Sequence, residues 1–360
     1  MKCAFVNLGK HYGGAEKYLN ILIEAWMNEG NEAIVIVRKD KQYATDVKKN
    51  FAGTNISVVE VTFSLLDIIK TRRILESKKI DIINIHGINS GFFINLMNLD
   101  IPTVTTVHSN AEFDRRDKAV FVRKFFLILE YYLLQRTRKI IVVSEAIKLL
   151  LIARGIDQKK IEIISNGISA LDYNGFHVRK DYTAPLRICF VGRLERVKGC
   201  EYLIRAIEKL QDYPLTCDIY GEGTEKNDLV ELATNIGVKD KISFQGFCSD
   251  IRSKLPSYDV LVLPSLYEAF PLTILEAMNA KVLLVCSDVG GIPFVIENGK
   301  NGLLFACKNT DKLAEILKYV LNNPDEIRVI VEKAYLDFYE HYTKEKMISR
   351  TINAICQVLS

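Results

Sequence analysis

The residues best suited to chemistry lie in a short basic segment between two glycines, Gly192-Arg193-Leu194-Glu195-Arg196-Val197-Lys198-Gly199. A guanidinium group at Arg193 and an ammonium group at Lys198 suit a diphosphate, because arginine donates to two oxygens at once and lysine acts as a mobile point charge. The flanking glycines allow a ligand to approach the backbone closely. A basic surface turn is the alternative, but such a turn does not require glycine at both ends. We therefore interpret the segment as a diphosphate-binding site.

A second segment carries two glutamates, Glu268-Ala269-Phe270-Pro271-Leu272-Thr273-Ile274-Leu275-Glu276. Proline is favoured in the first turn of a helix, so Glu268 is expected on a loop and Glu276 about a turn and a half inside the helix. Carboxylates accept hydrogen bonds from sugar and ribose hydroxyls, and a helix N-terminus offers free N–H groups to anionic oxygens. Glu276 could instead be a surface carboxylate. Its mostly apolar neighbours favour a ligand, because a buried carboxylate without a partner is costly.

The first half of the chain offers weaker candidates. Gly13-Gly14-Ala15-Glu16 follows an apolar run and opens a helical pattern, as a loop that approaches phosphate would. His108 ends another apolar run, where a functional role and a hydrogen-bonded core histidine are equally compatible with the sequence. His86 has the same placement in the neighbouring run, and a structural role is the favoured interpretation for it.

Short apolar and β-branched runs recur along the chain and end in glycine or small polar residues, which is typical of parallel strands joined by crossover helices. The first half contains the runs 3–7, 33–37, 81–86, 103–108, 139–144 and 161–166, and the second half contains 187–192, 217–221, 242–246, 260–265 and 281–287. The candidate residues fall at or just after run ends, where ligands bind in parallel sheets. The pattern predicts an α/β protein with two Rossmann-like doubly wound parallel-sheet domains facing a cleft.

The length of 360 residues is sufficient for two hydrophobic cores. We predict a first domain over 1–167, a linker over 168–184 and a second domain over 185–343. A helix over about 344–360 is expected to pack back on the first domain.

Composition and missing motifs exclude several classes. A net charge of +4 is too small for a general nucleic-acid binder. The eight scattered cysteines favour reduced thiols in the cytoplasm, and neither a secretion signal nor a membrane-spanning run is evident. No Asp-x-Asp pair or histidine spacing indicates a metal site, and the Gly-x-Gly-x-x-Gly of dinucleotide dehydrogenases is absent.

Together the motifs resemble the retaining glycosyltransferases of family 4, which have the GT-B fold and transfer sugars from UDP- or GDP-sugars to glycan, lipid or small acceptors. The resemblance covers nearly the whole chain. Besides the segments above, its matching stretches are Val143-Ser144, Asn166-Gly167-Ile168, Gly221-Glu222-Gly223, Phe244-Gln245-Gly246-Phe247 and Val289-Gly290-Gly291-Ile292-Pro293.

The resemblance implies a role for each matching residue. Arg193, Lys198 and the backbone at Gly14 would hold the diphosphate, and Glu276 would bind the ribose hydroxyls. Glu268 and His108 would hold the transferred sugar, and the backbone near Phe247 would meet the base. The catalytic set is then His108, Glu268, Arg193 and Lys198, and the donor-binding set adds Gly13, Gly14, Gly192, Gly221, Gly223, Phe247, Ala269, Phe270, Pro271, Leu272 and Glu276.

No metal or other cofactor is expected beside the nucleotide-sugar donor. Two positions depart from the family pattern: Pro271 replaces a common glycine, and Phe294 replaces a common glutamate. Both leave the donor sugar open, with a UDP-hexose or UDP-N-acetylhexosamine slightly favoured over GDP-mannose. Two other functions also stay open. One is a nucleotide-sugar epimerase of the same fold, and the other is a non-catalytic nucleotide-sugar-binding partner of another transferase.

The acceptor, a saccharide or lipid-linked molecule, is expected on the first domain. The segment from Arg115 to Phe126 mixes cations with aromatic residues, as a helix docking on an anionic membrane would. An ordinary buried helix over 125–134 with a basic start is an equal alternative. The expected location is the cytoplasm, either free or at the inner face of the membrane.

Overall fold

The computed structural model describes residues 1–9, 14–110, 112, 115, 118–173 and 185–359. The chain divides into two compact units, the first comprising Met1–Asn166 and Glu345–Ser360 and the second Gly167–Lys344. Each unit contains one parallel sheet with helices against it. The predicted α/β class with two Rossmann-like parallel sheets is confirmed.

The sheet of the first unit has seven parallel strands in the order β3-β2-β1-β4-β5-β6-β7. The strands are β1 Lys2–Asn7, β2 Glu32–Arg38, β3 Ser57–Val61, β4 Ile82–His86, β5 Thr103–Val107, β6 Lys139–Val142 and β7 Ile161–Ile163. The helices are α1 Gly14–Asn28, α2 Gln42–Asn50, α3 Leu65–Ser77, α4 Ile88–Asn95, α5 Val120–Arg136 and α6 Glu145–Ala153. The strand order reverses beside β1, and a doubly wound sheet binds ligands at such a reversal.

The sheet of the second unit has six parallel strands in the order β10-β9-β8-β11-β12-β13. The strands are β8 Leu186–Val191, β9 Leu215–Tyr220, β10 Ile242–Gly246, β11 Val260–Leu263, β12 Leu283–Ser287 and β13 Leu303–Phe305. The helices are α7 Cys200–Glu208, α8 Lys226–Asn235, α9 Leu272–Asn279, α10 Thr310–Asn322 and α11 Pro324–His341. A final helix, α12 Lys344–Cys356, returns the chain to the first unit.

Apolar side chains on both faces of each sheet explain why the strands read as continuous hydrophobic runs. In the first unit, Phe5 and Trp26 pack in one core with Ile352 and Ile355 of α12. The opposite face has its own core around Phe93 of α4. The core of the second unit is built from residues between Leu186 and Val331 only. Each unit therefore buries a core of its own.

Local polar contacts fix where several helices begin. Ser64 and Asp67 form a reciprocal capping box at the start of α3, and the Ser144 hydroxyl accepts a hydrogen bond from the Ile147 amide at the start of α6. Ser144 was expected at the end of a strand, but β6 ends two residues earlier because this serine caps the helix.

Two further features bear on the expectations from sequence. All eight cysteines are free thiols, five of them buried. Among the described residues, no helix is both long and apolar enough to cross a lipid bilayer.

Candidate functional site

In the first unit, His86 and His108 lie at the ends of the neighbouring strands β4 and β5. Nδ1 of His86 is 2.8 Å from Nε2 of His108, and the two rings stack with their centroids 5.1 Å apart. Nε2 of His86 also lies 2.5 Å from the side-chain oxygen of Asn84. Because that oxygen only accepts, His86 carries its proton on Nε2 and accepts the N–H of His108 at Nδ1. The remaining lone pair of His108, on Nδ1, can then accept a hydrogen bond from a ligand hydroxyl.

Both imidazoles are neutral at pH 7. Burial lowers the pKa of His108 to about 4. Burial, together with the nearby His108, lowers the pKa of His86 well below its usual value. His108 therefore offers a neutral polar group, which suits a sugar hydroxyl rather than the charge of a phosphate.

Polar groups from the end of β1 and from α1 lie near this histidine pair. The side-chain amide of Asn7 donates to Oε1 of Glu16 at 3.0 Å, and its oxygen accepts the amide of Gly9 at 3.0 Å. The ring of Tyr18 packs edge-on against His108 at 5.1 Å, while its hydroxyl contacts that of Thr351 at 3.0 Å. Gly14 begins α1, whereas Gly13 lies outside the described residues.

A cavity of about 380 Å³ opens beside the histidine pair. Its walls come from β4, β5, α4 and α5, and they include His86, His108, Thr106, Glu130, Leu133 and Thr137. The buried hydroxyl of Thr106 has no hydrogen-bond partner among the described residues. The cavity thus combines apolar walls with polar groups that could orient a hydroxylated molecule.

In the second unit, the basic segment follows β8 and lies against the loop after β9. The Gly192 amide donates to the Tyr220 carbonyl at 3.0 Å, and the Leu194 amide donates to the Glu222 carbonyl at 2.9 Å. A Cβ atom at Gly221 would lie 1.8 Å from the Gly192 oxygen, and one at Gly223 would lie 2.2 Å from the Leu194 oxygen. Backbone packing alone therefore requires glycine at Gly221 and Gly223, which weakens their use as an indication of ligand contact.

The ion pair between Lys198 and Glu268 joins the two candidate segments. Nζ of Lys198 is 2.6 Å from Oε1 of Glu268, and the Ser265 hydroxyl donates to the same oxygen at 2.8 Å. Glu268 is buried, and its carbonyl accepts the amide of Gly291 at 2.8 Å. The carboxylate is thus held by a cation and a hydroxyl, with lone pairs left for a further donor.

Arg193 is placed differently from Lys198. Its side chain is 70% exposed and contacts Oε1 of Glu195 at 2.9 Å. An exposed pair of this kind contributes little to stability, so the guanidinium group can turn to an anionic ligand at small cost.

Helix α9 begins directly after Pro271, and the Ile274 amide of its first turn donates to the Pro271 carbonyl at 3.2 Å. Glu276 is half-buried in its second turn. Glu276 lies close to Tyr173: burial raises the pKa of Tyr173, and the charge of Glu276 adds to that rise.

The other predicted donor-binding residues surround these elements. Ala269 and Leu272 are half-buried, Phe270 packs its ring against Tyr342, and Phe247 follows β10 with its side chain 78% exposed. The structure brings Lys198 together with Glu268 and brings Gly192 together with Gly221. The individual roles assigned to these residues stay predictions.

Sequence reasoning missed several polar partners. Ser265 was visible as the last residue of a predicted strand, but nothing indicated that it contacts Glu268. The roles of Asn84, Tyr18 and Thr351 depend on contacts between segments far apart in the chain. Within the described parts of the chain, the one grouping of three possible metal ligands is Asp337, Glu340 and His341 at the end of α11.

Comparisons with known proteins cover most of the chain. Residues 12–170 match the family described as Glycosyltransferase Family 4, and residues 177–337 match Glycosyl transferases group 1. An uncharacterized glycosyltransferase of Methanocaldococcus jannaschii is 29% identical over 95% of this chain and 93% of its own length. The UDP-Gal:alpha-D-GlcNAc-diphosphoundecaprenol alpha-1,3-galactosyltransferase of Escherichia coli is 28% identical over 78% of this chain and 75% of its own length.

A solved structure shows the same architecture. The crystal structure of Anabaena HepE in complex with UDP has a TM-score of 0.83 and 19% identity, covering 99% of this chain and 100% of its own. At that identity the likeness shows the fold, which is GT-B. The two family matches and the relatives along nearly the full length show that the chain belongs to the glycosyltransferases of family 4 and group 1.

Proposed function

We propose that this protein is a retaining, metal-independent transferase that moves a hexose or N-acetylhexosamine from a nucleotide sugar to a saccharide or lipid-linked acceptor. A UDP-sugar is the favoured donor, and surface polysaccharide biosynthesis is the proposed setting. The observation that carries the proposal is the ion pair of Lys198 with the buried Glu268. It joins a cation suited to phosphate and a carboxylate suited to sugar hydroxyls in one place.

The donor assignment draws on similar proteins. The Anabaena structure contains UDP, and the name of the Escherichia coli relative specifies a UDP-sugar donor and a lipid diphosphate acceptor. The free cysteines agree with the proposed cytoplasmic location. The name of the Escherichia coli relative supports the lipid-linked class of acceptor.

In the proposed reaction, the two cations, Glu268 and His108 have different roles. Cleavage of the bond between sugar and diphosphate builds negative charge on the departing phosphate, which Arg193 and Lys198 would stabilise more strongly than in the intact donor. An ammonium group has three N–H donors, so Lys198 can hold Glu268 and still donate to phosphate. Glu268 and the neutral His108 would orient the sugar. The departing phosphate would take the proton of the acceptor hydroxyl on the same face, giving retention.

A donor screen tests the proposal. Purified protein is heated with UDP, GDP and their sugars, and a ligand at 100 times its dissociation constant should add about 2.7 kcal/mol to the free energy of unfolding. Transfer is then measured with and without a chelator, and we expect nearly unchanged turnover. A complete loss that Mn²⁺ restores would contradict metal independence. Conversion of a UDP-sugar to its epimer without any acceptor would favour the epimerase.

The two carboxylates provide an internal control for this screen. Glu276→Gln should weaken binding of UDP itself by roughly 1 to 3 kcal/mol, because it removes charged hydrogen bonds to ribose. Glu268→Gln should spare UDP affinity and lower turnover of the full donor, because UDP lacks the sugar and a neutral amide leaves the charge of Lys198 available to the diphosphate. The opposite pattern in calorimetry and initial rates would reverse the two roles.

A further inference from the structure

Helix α5 exposes an apolar stripe to solvent. On one side it buries Leu133 and Leu134, and on the other Phe121 is 75% exposed, Phe125 60% and Ile128 69%. Positions four and three residues apart lie on one face of a helix, so these side chains are neighbours. Lys124, Tyr131 and Tyr132 are exposed on the same side of the helix. We call the whole exposed surface the α5 outer face, and it consists of Phe121, Lys124, Phe125, Ile128, Tyr131 and Tyr132. The alternative of an ordinary buried helix over 125–134 is therefore wrong for this face.

Single exposed apolar residues are normal on protein surfaces, but a contiguous stripe of them indicates a binding surface. Helix α4 packs beside α5, and two further exposed apolar side chains belong to it or follow it directly: Phe92 is 39% exposed and Leu96 49%. Exposed apolar side chains thus occur on both of these neighbouring helices.

The charge on this face is positive. Lys124 and Arg136 are exposed on α5, and Lys118 is exposed just before it. The single carboxylate of α5, Glu130, is buried and paired with Arg154, whose Nη1 lies 3.1 Å from its Oε2. The outer face of α5 therefore presents cations and aromatic rings without a carboxylate.

We propose that the α5 outer face docks on an anionic lipid bilayer. Phe121, Phe125 and Ile128 would enter the boundary between headgroups and acyl chains, and the lysine and arginine side chains would contact anionic headgroups. A protein partner is less favoured, because an exposed cationic and aromatic helix face is typical of helices that lie in a membrane interface.

The position of α5 connects membrane docking to sugar transfer, and this connection rests on the proposed function. Its inner face lines the cavity beside His108 through Glu130 and Leu133. One helix therefore separates the proposed bilayer surface from the cavity. A lipid-linked acceptor held in the bilayer would be close to this cavity and to His108.

Vesicle sedimentation with the full-length protein tests the docking. Wild-type protein should sediment with vesicles containing phosphatidylglycerol and much less with vesicles of phosphatidylcholine alone, and high salt should reduce sedimentation. The combined change Phe121→Ser, Phe125→Ser and Ile128→Ser should lower the vesicle affinity by roughly tenfold or more. Lys124→Glu should lower binding to anionic vesicles alone.

The control replaces exposed apolar residues of α11 in the second unit, with Val329→Ser and Leu336→Ser, and it should sediment like wild type. The melting temperature of every variant should stay unchanged, because the side chains are exposed. Equal sedimentation of the α5 variant and wild type overturns the proposal. So does an α5 variant that loses only self-association in light scattering without lipid.

Binding to vesicles needs no donor, and transfer to a water-soluble acceptor should persist in the α5 variant. The docking and the proposed activity can therefore fail independently.

Discussion

At the scale of single residues, Lys198 and Arg193 carry the same charge in different surroundings. Lys198 contacts a buried carboxylate, whereas the side chain of Arg193 is mostly in solvent. Lys198 therefore contributes to the stability of the fold as well as to ligand binding, because removing it would leave the buried carboxylate of Glu268 without a neutralising charge. An exposed cation is free to serve a ligand alone.

Replacing each cation by alanine should separate these contributions. Both Lys198→Ala and Arg193→Ala should weaken UDP binding, because each removes a charged contact to the diphosphate. Lys198→Ala should also lower the free energy of unfolding by roughly 1 to 3 kcal/mol, while Arg193→Ala should change it by less than about 0.5 kcal/mol. Calorimetry and denaturant unfolding of both variants measure the two effects. If neither variant loses UDP affinity, the diphosphate assignment is wrong.

The histidine pair should make the stability of the first unit depend on pH. The pKa of His108 is about 4 in the folded protein and near its ordinary value of 6.5 when unfolded. Between these values the unfolded chain binds more protons, so the free energy of unfolding falls as pH drops from 6.5 towards 4. His108→Gln should reduce this fall by roughly 2 kcal/mol at pH 4.5.

The pH experiment contains its own reference. The difference between wild type and His108→Gln at pH 8 reports the packing that the substitution changes, and only the additional difference at low pH reports titration. Parallel stability profiles from pH 8 to 4.5 would show that His108 does not titrate as the buried pair implies.

At the scale of elements, the loops after β8 and β9 are locked together by close backbone contacts. Gly221 has a φ of +145°, and a Cβ there would overlap the Gly192 carbonyl. At Gly192 a Cβ would meet only side chains, the Phe190 ring at 3.4 Å and Cδ of Lys198 at 3.9 Å. The two glycines therefore predict different outcomes for the same substitution.

Gly221→Ala should displace both loops, lower the free energy of unfolding by roughly 2 to 4 kcal/mol and abolish measurable UDP binding. Gly192→Ala should keep the fold within about 1 kcal/mol of wild type and lower UDP affinity by a steric contact with the ligand. Thermal unfolding and titration with UDP check both. Wild-type affinity in Gly192→Ala would remove Gly192 from the predicted donor site.

Strands could be predicted from the sequence where a buried strand coincides with a continuous apolar run. Eleven strands were visible as apolar runs, while β3 and β13 were not. β3 is a mostly half-buried edge strand with a glutamate, and β13 has only three residues. The pair of Lys198 and Glu268 could not be predicted, because 70 residues separate them and no local pattern specifies such a contact. The sequence indicated a possible membrane dock between Arg115 and Phe126, but not the exposed face that continues to Tyr132, since hydrophobic periodicity does not show which face of a helix is covered.

At the scale of the whole molecule, the chain leaves the first unit at Asn166, forms the second unit and returns as α12. Met347, Ile352, Ala354 and Ile355 of α12 are buried in the core that contains Phe5 and Trp26. Thr351 on the same helix contacts the hydroxyl of Tyr18, whose ring packs against His108. The last helix therefore completes both the core of the first unit and the surroundings of the histidine pair.

A charge placed in this helix should unfold the first unit without removing nucleotide binding from the second. Ile355→Asp buries a carboxylate in an apolar core and should lower the stability of the first unit by roughly 3 to 5 kcal/mol. Asn353→Asp introduces the same group on the exposed side of α12 and should leave stability near wild type. Because the core of the second unit contains residues of that unit only, its melting transition should persist in Ile355→Asp. UDP should still raise that transition, since the predicted nucleotide contacts at Arg193, Lys198 and Glu276 belong to the second unit. Scanning calorimetry with and without UDP distinguishes the outcomes, and joint loss of both transitions in Ile355→Asp would show that the second unit cannot fold without an intact first unit.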